Sequence, residues 1–339
     1  MVKSIAPAQS AALDAEDIST LLFMIEEEKL ASDVYAALYD LFGNSVFANI
    51  AASEDKHYAA LVAQADLIDL DLSAIEANAA GVFIDPDLQA MYDALIAWGS
   101  TSETDALLVG VAIEETDIDD IAAAIEDVAG TTLASVYQNL LNGSYNHLGA
   151  FEAAVTALDP AILFGTDGDD VIAGSSADNT VYARDGDDLV HGRAGADTLY
   201  GGAGSDTLDG DSGRDRIYGE AGRDWLVGGD GRDRLFGGAG RDRLIGGDGN
   251  DRLKGGTKAD DFVFRDGFGT DRILDFDATD NAEDIVLRGV TSIRSYSDLV
   301  AHHLTENAEG DAVIDDGQGN TITLAGVALD DLGKGDFLF

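Results

Sequence analysis

The chain has 339 residues, enough for two domains with separate cores. Its 65 acidic against 20 basic side chains give a formal net charge of -45. That excludes nucleic acid and anionic membrane surfaces as expected partners, because binding phosphate takes clustered lysine and arginine, and the lack of cysteine excludes disulfides and thiol chemistry.

Residues 1–16 carry one lysine and no apolar run of signal-peptide length. They read as a flexible N-terminus without a cleavable export signal, and no later stretch approaches a transmembrane helix in length. From residue 17 to 158 the chain is rich in Ala, Leu and Ile at helical spacing. Four long helices and one short one are expected. The first runs from about Ile18 to Phe42 and stops at Gly43, and the second covers Val46 to Leu67. Asp85-Pro86 opens the short helix to Trp98, an N-cap followed by proline at the first helical position. Ser102-Glu103-Thr104-Asp105 resembles a capping box for a helix reaching Ala129, and Thr131 or Thr132 caps the last, which ends at Leu158. Long helices with short connections predict an antiparallel bundle.

The apolar stripes of these helices carry polar residues. Glu28 shares a face with Leu21, Met24, Ala31, Tyr35 and Leu38. Glu54 and His57, a Glu-x-x-His pair one turn apart, fall in the stripe Val46, Ile50, Leu61, Ala65. Glu114 aligns with Leu107, Val111, Ile118 and Ile121, and His147 with Leu140, Ala150 and Ala154. Each long helix thus aims a carboxylate or imidazole at the bundle axis, the layout of a carboxylate-bridged two-metal site. A hydrogen-bonded polar network is the other reading, weakened by the cost of burying several unpaired charges. Glu26, Glu27, Asp119 and Asp120 read as solvated, and Tyr35, Tyr58 and Tyr137 as core or edge aromatics.

Several runs resemble a ferritin-like family, the domain of unknown function 2202, over nearly all of residues 20–155. They are Leu22-Phe23-Met24-Ile25-Glu26-Glu27-Glu28-Lys29-Leu30-Ala31, Asp33-Val34-Tyr35, Asn49-Ile50-Ala51 before Glu54 and His57, Gly110 to Glu115, and Ser144-x-Asn146-His147-Leu148 with Phe151. The resemblance implies iron or manganese, with ferroxidase, peroxidase or catalase-type chemistry. Its di-iron pattern expects a glutamate where this chain has Ser144, with Asp117 or Glu115 as possible substitutes.

After a linker at 159–164, residues 165–263 repeat every nine residues through eleven units without an insertion. The template is G-G-x-G-x-D-x-U-x, U being a large apolar residue, a calcium-binding solenoid signature. Glycines at the first, second and fourth places would take positive φ, and the aspartate at the sixth supplies the hard oxygen that Ca²⁺ prefers. The apolar eighth place would fill the interior. The tract resembles the serralysin-type toxin-repeat module, a parallel β-roll in which a calcium ion sits between turns two units apart. The resemblance implies calcium ligands at Asp170, Asp188, Asp197, Asp206, Asp215, Asp224, Asp233, Asp242, Asp251 and Asp260, paired at intervals of eighteen. Ala177 and Asn179 weaken the second unit, and Lys258 makes the last a cap. The arginines beside the aspartates, such as Arg214, Arg216, Arg232, Arg234, Arg241 and Arg243, read as outward charges offsetting repulsion.

Residues 264–339 resemble the closing β-sandwich of such modules. The ending Asp336-Phe337-Leu338-Phe339 resembles the uncleaved type I secretion signal of Gram-negative bacteria, which implies the type I secretion machinery as a partner and a secreted or cell-surface protein. The expected whole is a multidomain α plus β chain, a ferritin-like bundle followed by a β-roll with a sandwich-like cap. A metalloprotease is excluded, since the chain has no His-Glu-x-x-His. Two functions remain: a secreted calcium-binding protein whose bundle holds a redox metal, or a non-catalytic surface-layer or matrix protein using the bundle for interaction.

Overall fold

A computed structural model describes residues 13–279 and 282–339, so the segment expected to be flexible lies, up to residue 12, outside the described residues. The chain divides after Asp159 into two compact units.

The first unit holds α1 (Ala15–Phe42), α2 (Ser45–Leu67), α3 (Ser73–Glu76), α4 (Pro86–Gly99), α5 (Glu103–Asp127) and α6 (Thr132–Leu158). Gly43, at φ 70°, takes the left-handed turn that ends α1. Side-chain caps open the later helices as expected. Asn44 accepts from Val46 N at 3.0 Å, Asp85 from Asp87 N at 2.7 Å, Ser102 from Asp105 N at 3.0 Å and Thr131 from Ala134 N at 3.4 Å. The single turn α3 is additional, too short to leave a periodic signal. α1 packs chiefly on α2 and α5 on α6, with α1–α5 and α2–α6 contacts closing the group.

The stripes of α1 and α5 are as expected, with Leu21, Met24, Ala31, Tyr35, Leu38, Leu107, Val111, Ile118 and Ile121 all buried. Those of α2 and α6 hold in part, with Ile50, Leu61, Ala65 and Leu140 buried. Phe47 rather than Val46 is buried on α2, and on α6 the stripe is Leu133, Tyr137, Leu140, Ser144, Leu148, Phe151 and Val155 while Ala150 is exposed. Glu26 and Glu27 are not solvated either. Glu26 caps a distant turn, accepting from Ile84 N at 2.8 Å and Asp85 N at 3.2 Å. Burial first, and then the carboxylate of Asp120, push Glu27 up to about 9.

The second unit is a stack of nine-residue turns whose strands form two ten-stranded sheets. Alternate units feed alternate sheets. Thr180–Asp185, Thr198–Gly204, Arg216–Gly222, Arg234–Gly240 and Arg252–Thr257 pair in one; Leu189–His191, Thr207–Asp209, Trp225–Gly231 and Arg243–Gly249 pair in the other. The pairing is parallel with partners eighteen residues apart, as in Leu199↔Ile217 and Leu226↔Leu244. Eighth-place side chains from both sheets meet inside: Val181, Val190, Leu199, Leu208, Ile217, Leu226, Leu235, Leu244 and Leu253 are all 0% exposed. Burying each contributes roughly 1.5–3 kcal/mol.

The glycines divide by cause. Second-place glycines and most fourth-place ones take positive φ, as at Gly202 (104°) and Gly204 (141°). First-place glycines do not; they are required because a Cβ would collide with the aspartate of their own turn. At Gly237 it would stand 2.5 Å from both Asp242 Oδ2 and Gly255 O. Beyond the repeats both sheets continue. The strand Asp261–Arg265 crosses the border expected at 263, Thr270–Ile273 and Thr321–Leu324 extend one sheet, and Asp284–Gly289 and Phe337–Leu338 extend the other. Only the strands Leu304–Glu306, Ala312–Asp315 and Thr321–Leu324 pair antiparallel among the described residues.

Candidate functional site

In the helical unit, four helices bring Glu28, Glu54, His57, Glu114 and His147 together. They form two overlapping groups, Glu28–Glu54–His57 and Glu54–Glu114–His147, each with one ligand atom per residue, all within 4.8 Å of one another. Glu54 belongs to both. Its Oε2 lies 2.7 Å from His57 Nδ1 and its Oε1 2.6 Å from His147 Nδ1. The outer carboxylates complete each group, Glu28 Oε2 at 3.5 Å from His57 Nδ1 and Glu114 Oε2 at 3.6 Å from His147 Nδ1. The imidazoles stack with centroids 5.5 Å apart.

The donor atoms fit metal ions better than they fit each other. Glu28 Oε2, Glu54 Oε1, Glu114 Oε2 and His147 Nδ1 are buried without a hydrogen-bond partner among the described residues. Glu54 Oε1 and His147 Nδ1 therefore nearly touch without the alignment of a hydrogen bond. Two ligand atoms about 2.1 Å from one ion and at right angles to it would stand about 3 Å apart. The observed spacings, 2.6 to 3.6 Å, bracket that value.

The electrostatics agree. Burial and then the charge of Glu54 raise the Glu28 carboxyl well above its usual range, and burial raises Glu114 to about 7. Burial opposes charge on Glu54 as well, but the imidazoles of His147 and His57 close against its two oxygens outweigh it and hold that carboxyl at about 2. His147, despite burial, is held at about 9 by Glu114 and Glu54. Concentrated negative charge of this kind is relieved by protons or by cations.

Of the substitutes for the missing glutamate, Asp117 is buried, one turn from Glu114. Its carboxyl is raised well above normal by burial and then by Glu114 and Glu28. Glu115 is half-buried and outside both groups. Ser144 is buried but its Oγ turns back to donate to Leu140 O at 3.4 Å. Two supporting residues carry no signal in the pattern of charges. The Tyr35 hydroxyl, fully buried, donates to Glu114 Oε1 at 2.7 Å and so fixes which oxygen faces the group. Gly143 leaves room for an imidazole, since a Cβ there would stand 2.5 Å from His57 Cε1.

In the roll, the sixth-place aspartates form two continuous columns. Each Oδ1 accepts the backbone N–H of the aspartate eighteen residues earlier: Asp206 from Asp188 at 2.9 Å, Asp224 from Asp206 at 3.0 Å, Asp233 from Asp215 at 2.8 Å and Asp242 from Asp224 at 2.9 Å. Asp197, Asp251 and Asp260 accept in the same way, from Asn179, Asp233 and Asp242. The other oxygen, Oδ2, of Asp188, Asp197, Asp206, Asp215, Asp224, Asp233, Asp242 and Asp251 is buried without a hydrogen-bond partner among the described residues. In Asp197, Asp206, Asp215, Asp224, Asp233 and Asp242 that oxygen converges with a main-chain carbonyl on the space that a first-place Cβ would fill, an all-oxygen cradle of the kind Ca²⁺ takes. Asp170 differs, its Oδ2 accepting from the Thr166 hydroxyl at 2.8 Å, and Asn179 accepts from Ser175 N at 2.7 Å. One member of the column was hidden from the nine-residue period: Asp271 accepts from Asp251 N at 2.9 Å across twenty residues, with its Oδ2 also unpartnered.

Residues 17–159 match the model of the uncharacterized protein domain DUF2202. Residues 164–199, 191–226, 200–235 and 227–262 match the RTX calcium-binding nonapeptide repeat in four copies, which makes this a calcium-binding protein. The chain is similar to the uncharacterized protein MJ0754 of Methanocaldococcus jannaschii, 36% identical over 151 residues that are 44% of this chain and 81% of the relative. The crystal structure of hypothetical protein MJ0754 from Methanococcus jannaschii has a TM-score of 0.42 at 34% identity, covering 45% of this chain and 87% of that one. That of the extracellular lipase LipA from Serratia marcescens has a TM-score of 0.28 at 19% identity, covering 52% and 40%. No helix among the described residues is long and apolar enough to cross a membrane. On the extent and identity of its match to MJ0754, the chain belongs to the DUF2202 family, here continued by a roll of calcium-binding repeats.

Proposed function

We propose that the helical unit is a ferritin-like bundle that holds two iron or manganese ions, and that the protein is a secreted, calcium-dependent redox protein. One ion would take Glu28, Glu54 and His57, the other Glu54, Glu114 and His147, with Glu54 bridging. The observation that carries this reading is the Glu54 carboxylate, with an imidazole nitrogen within 2.7 Å of each oxygen and unpartnered buried donors on both sides. Bound there, such a metal pair would supply one-electron chemistry toward Fe²⁺, oxygen or peroxide. The chain's own residues would do the rest. Tyr35 orients Glu114, and Gly143 admits His57.

In the roll, calcium would sit between turns on the unpartnered Asp Oδ2 atoms. Extracellular calcium modules bind at roughly 10⁻⁴–10⁻³ M, so these sites would fill outside a cell and stay empty in a cytosol. Repeats of this type support export by type I secretion from a Gram-negative cell. A non-catalytic surface or matrix protein is the second reading, favoured by Ser144, which leaves the bundle without one carboxylate.

Elemental analysis of the calcium-loaded chain, with ferroxidase and peroxide-consumption assays, separates the two. The bridging geometry predicts two transition-metal ions per chain, one in His57→Ala and none in Glu54→Ala. A wild-type chain that neither carries nor takes up a transition metal would leave the second reading standing.

A further inference from the structure

The arginines of the repeats do more than border the aspartates. In the sheet containing Arg216–Gly222, strand register places Arg216 beside Arg234, Arg234 beside Arg252 and Arg252 beside Arg272. All four side chains are exposed. The residues that follow them, Ile217, Leu235, Leu253 and Ile273, point into the core, so the arginines share the outer face. Two residues further along, Phe164, Tyr182, Tyr200, Tyr218 and Phe236 form a second column on that face, which shares strands with the arginines at Tyr218 and Phe236 and continues past them toward residue 162. Their rings stack at 5.4, 5.1, 4.9 and 4.9 Å, within 13° of parallel. Lys254 extends this column.

Like charges facing each other across strands are destabilising. Here four guanidinium groups repeat at the strand spacing, over about 14 Å. Arg272 pairs with Asp311 at 3.3 Å; Arg216, Arg234 and Arg252 make no ion pair among the described residues. Nor do they neutralise the buried aspartates, since Asp224, Asp233 and Asp251 are shifted by burial and by other carboxylates. A groove of about 350 Å³ runs between these side chains, lined by Arg232, Arg234, Arg252 and Arg272, with the buried Asp233, Asp251 and Asp271 at its floor facing the core.

We infer that this face binds a linear anionic polysaccharide. Its carboxylates or sulfates pair with the arginine column, and its hydroxyls and C–H edges lie along the tyrosine column, whose stacked rings turn edges and hydroxyls outward. A column of charges matches a polymer with recurring anions, whereas a small anion would need donors converging on one point. The net charge of -45 disfavours the denser charge of nucleic acid, while a sparsely charged glycan contacts only the local cations.

The test uses the full chain in calcium, titrated with chondroitin sulfate (carboxylate and sulfate), hyaluronan (carboxylate alone), neutral dextran and a single-stranded oligonucleotide. An anionic glycan binds, more weakly as salt rises, and dextran does not. Arg234→Gln with Arg252→Gln weakens binding at least about tenfold, the scale of one charge-assisted contact. Arg288→Gln, on the other sheet, leaves it unchanged, and an unchanged calcium-dependent circular dichroism spectrum shows that the fold is kept. In the unsubstituted protein, bound glycan shields Arg234 and Arg252 from dicarbonyl modification read by mass spectrometry. Equal binding of dextran, tighter binding of the oligonucleotide, wild-type affinity in the folded glutamine pair, or unshielded arginines each overturns the inference.

Discussion

Filling the bundle with divalent ions should expel protons in a countable number. At pH 7 the metal-free group is a proton store. Glu28 and Asp117 are raised well above their usual range, His147 is held at about 9, and Glu114 sits at about 7. The imidazole then carries a proton and Glu114 about half of one, and the raised carboxyls of Glu28 and Asp117 favour further protons. Glu54, at about 2, carries none. Two cations among these side chains favour every deprotonated form, so full loading releases at least about one and a half protons. Isothermal titration of Mn²⁺ into the chelator-treated protein, then returned to calcium, measures this directly. The observed enthalpy plotted against the buffer's ionisation enthalpy has the proton count as its slope. Release should fall by about half a proton by pH 8, once Glu114 has lost its share. A slope near zero at pH 7 with two ions bound would refute the placement of these groups beside the metals.

Three other expectations follow from the same coordinates. Gly143→Ala puts a methyl group into the space of His57, so the chain should stay helical by circular dichroism yet bind one metal ion fewer by elemental analysis. Leu226→Ala empties a fully buried position in the roll and should cost about 3 kcal/mol in denaturant titration of the calcium-loaded protein, more if turns on either side decouple. In excess chelator the roll should lose stability as pH rises from about 4 to about 8. Burial and neighbouring carboxylates raise Asp206, Asp233 and Asp251 to about 6, Asp215, Asp224 and Asp260 to about 7 and Asp271 to about 8. The folded chain therefore binds more protons than the unfolded one across that window, so the contribution is complete below the unfolded pKa and lost above the folded one. Calcium should abolish or invert that slope in melting curves recorded at each pH.

Where sequence alone succeeded, the physics was local or strictly periodic. Each capping side chain acts within three residues of its target, and a fixed nine-residue spacing carries the position of Asp188 through to Asp260. The convergence of Glu28, Glu54, Glu114 and His147 was legible because ionisable residues on buried helical faces need partners. Long-range compensation was not legible. Glu26 looks solvated until the turn at Ile84 and Asp85 is brought to it, and Tyr35 looks like core until Glu114 lies beside its hydroxyl. Asp271 was hidden because two inserted residues break the count, although Asp271-Arg272-Ile273 keeps the local D-x-U pattern. The arginine column needed the strand register, since residues eighteen apart are adjacent only once alternate turns stack.

The hydrogen bond from each aspartate's main chain to the next aspartate's carboxylate ties every turn to its neighbour and to little else. Such an array behaves like a row of coupled spins: a boundary between ordered and disordered turns costs one interface wherever it falls. The distal end is anchored by a thicker apolar plug containing Phe262, Phe264, Phe268, Phe276 and Phe337, whereas Asn179 stands at the other. Ordering should therefore start at the plug and travel toward residue 165 as a moving front, with ion uptake as its ratchet.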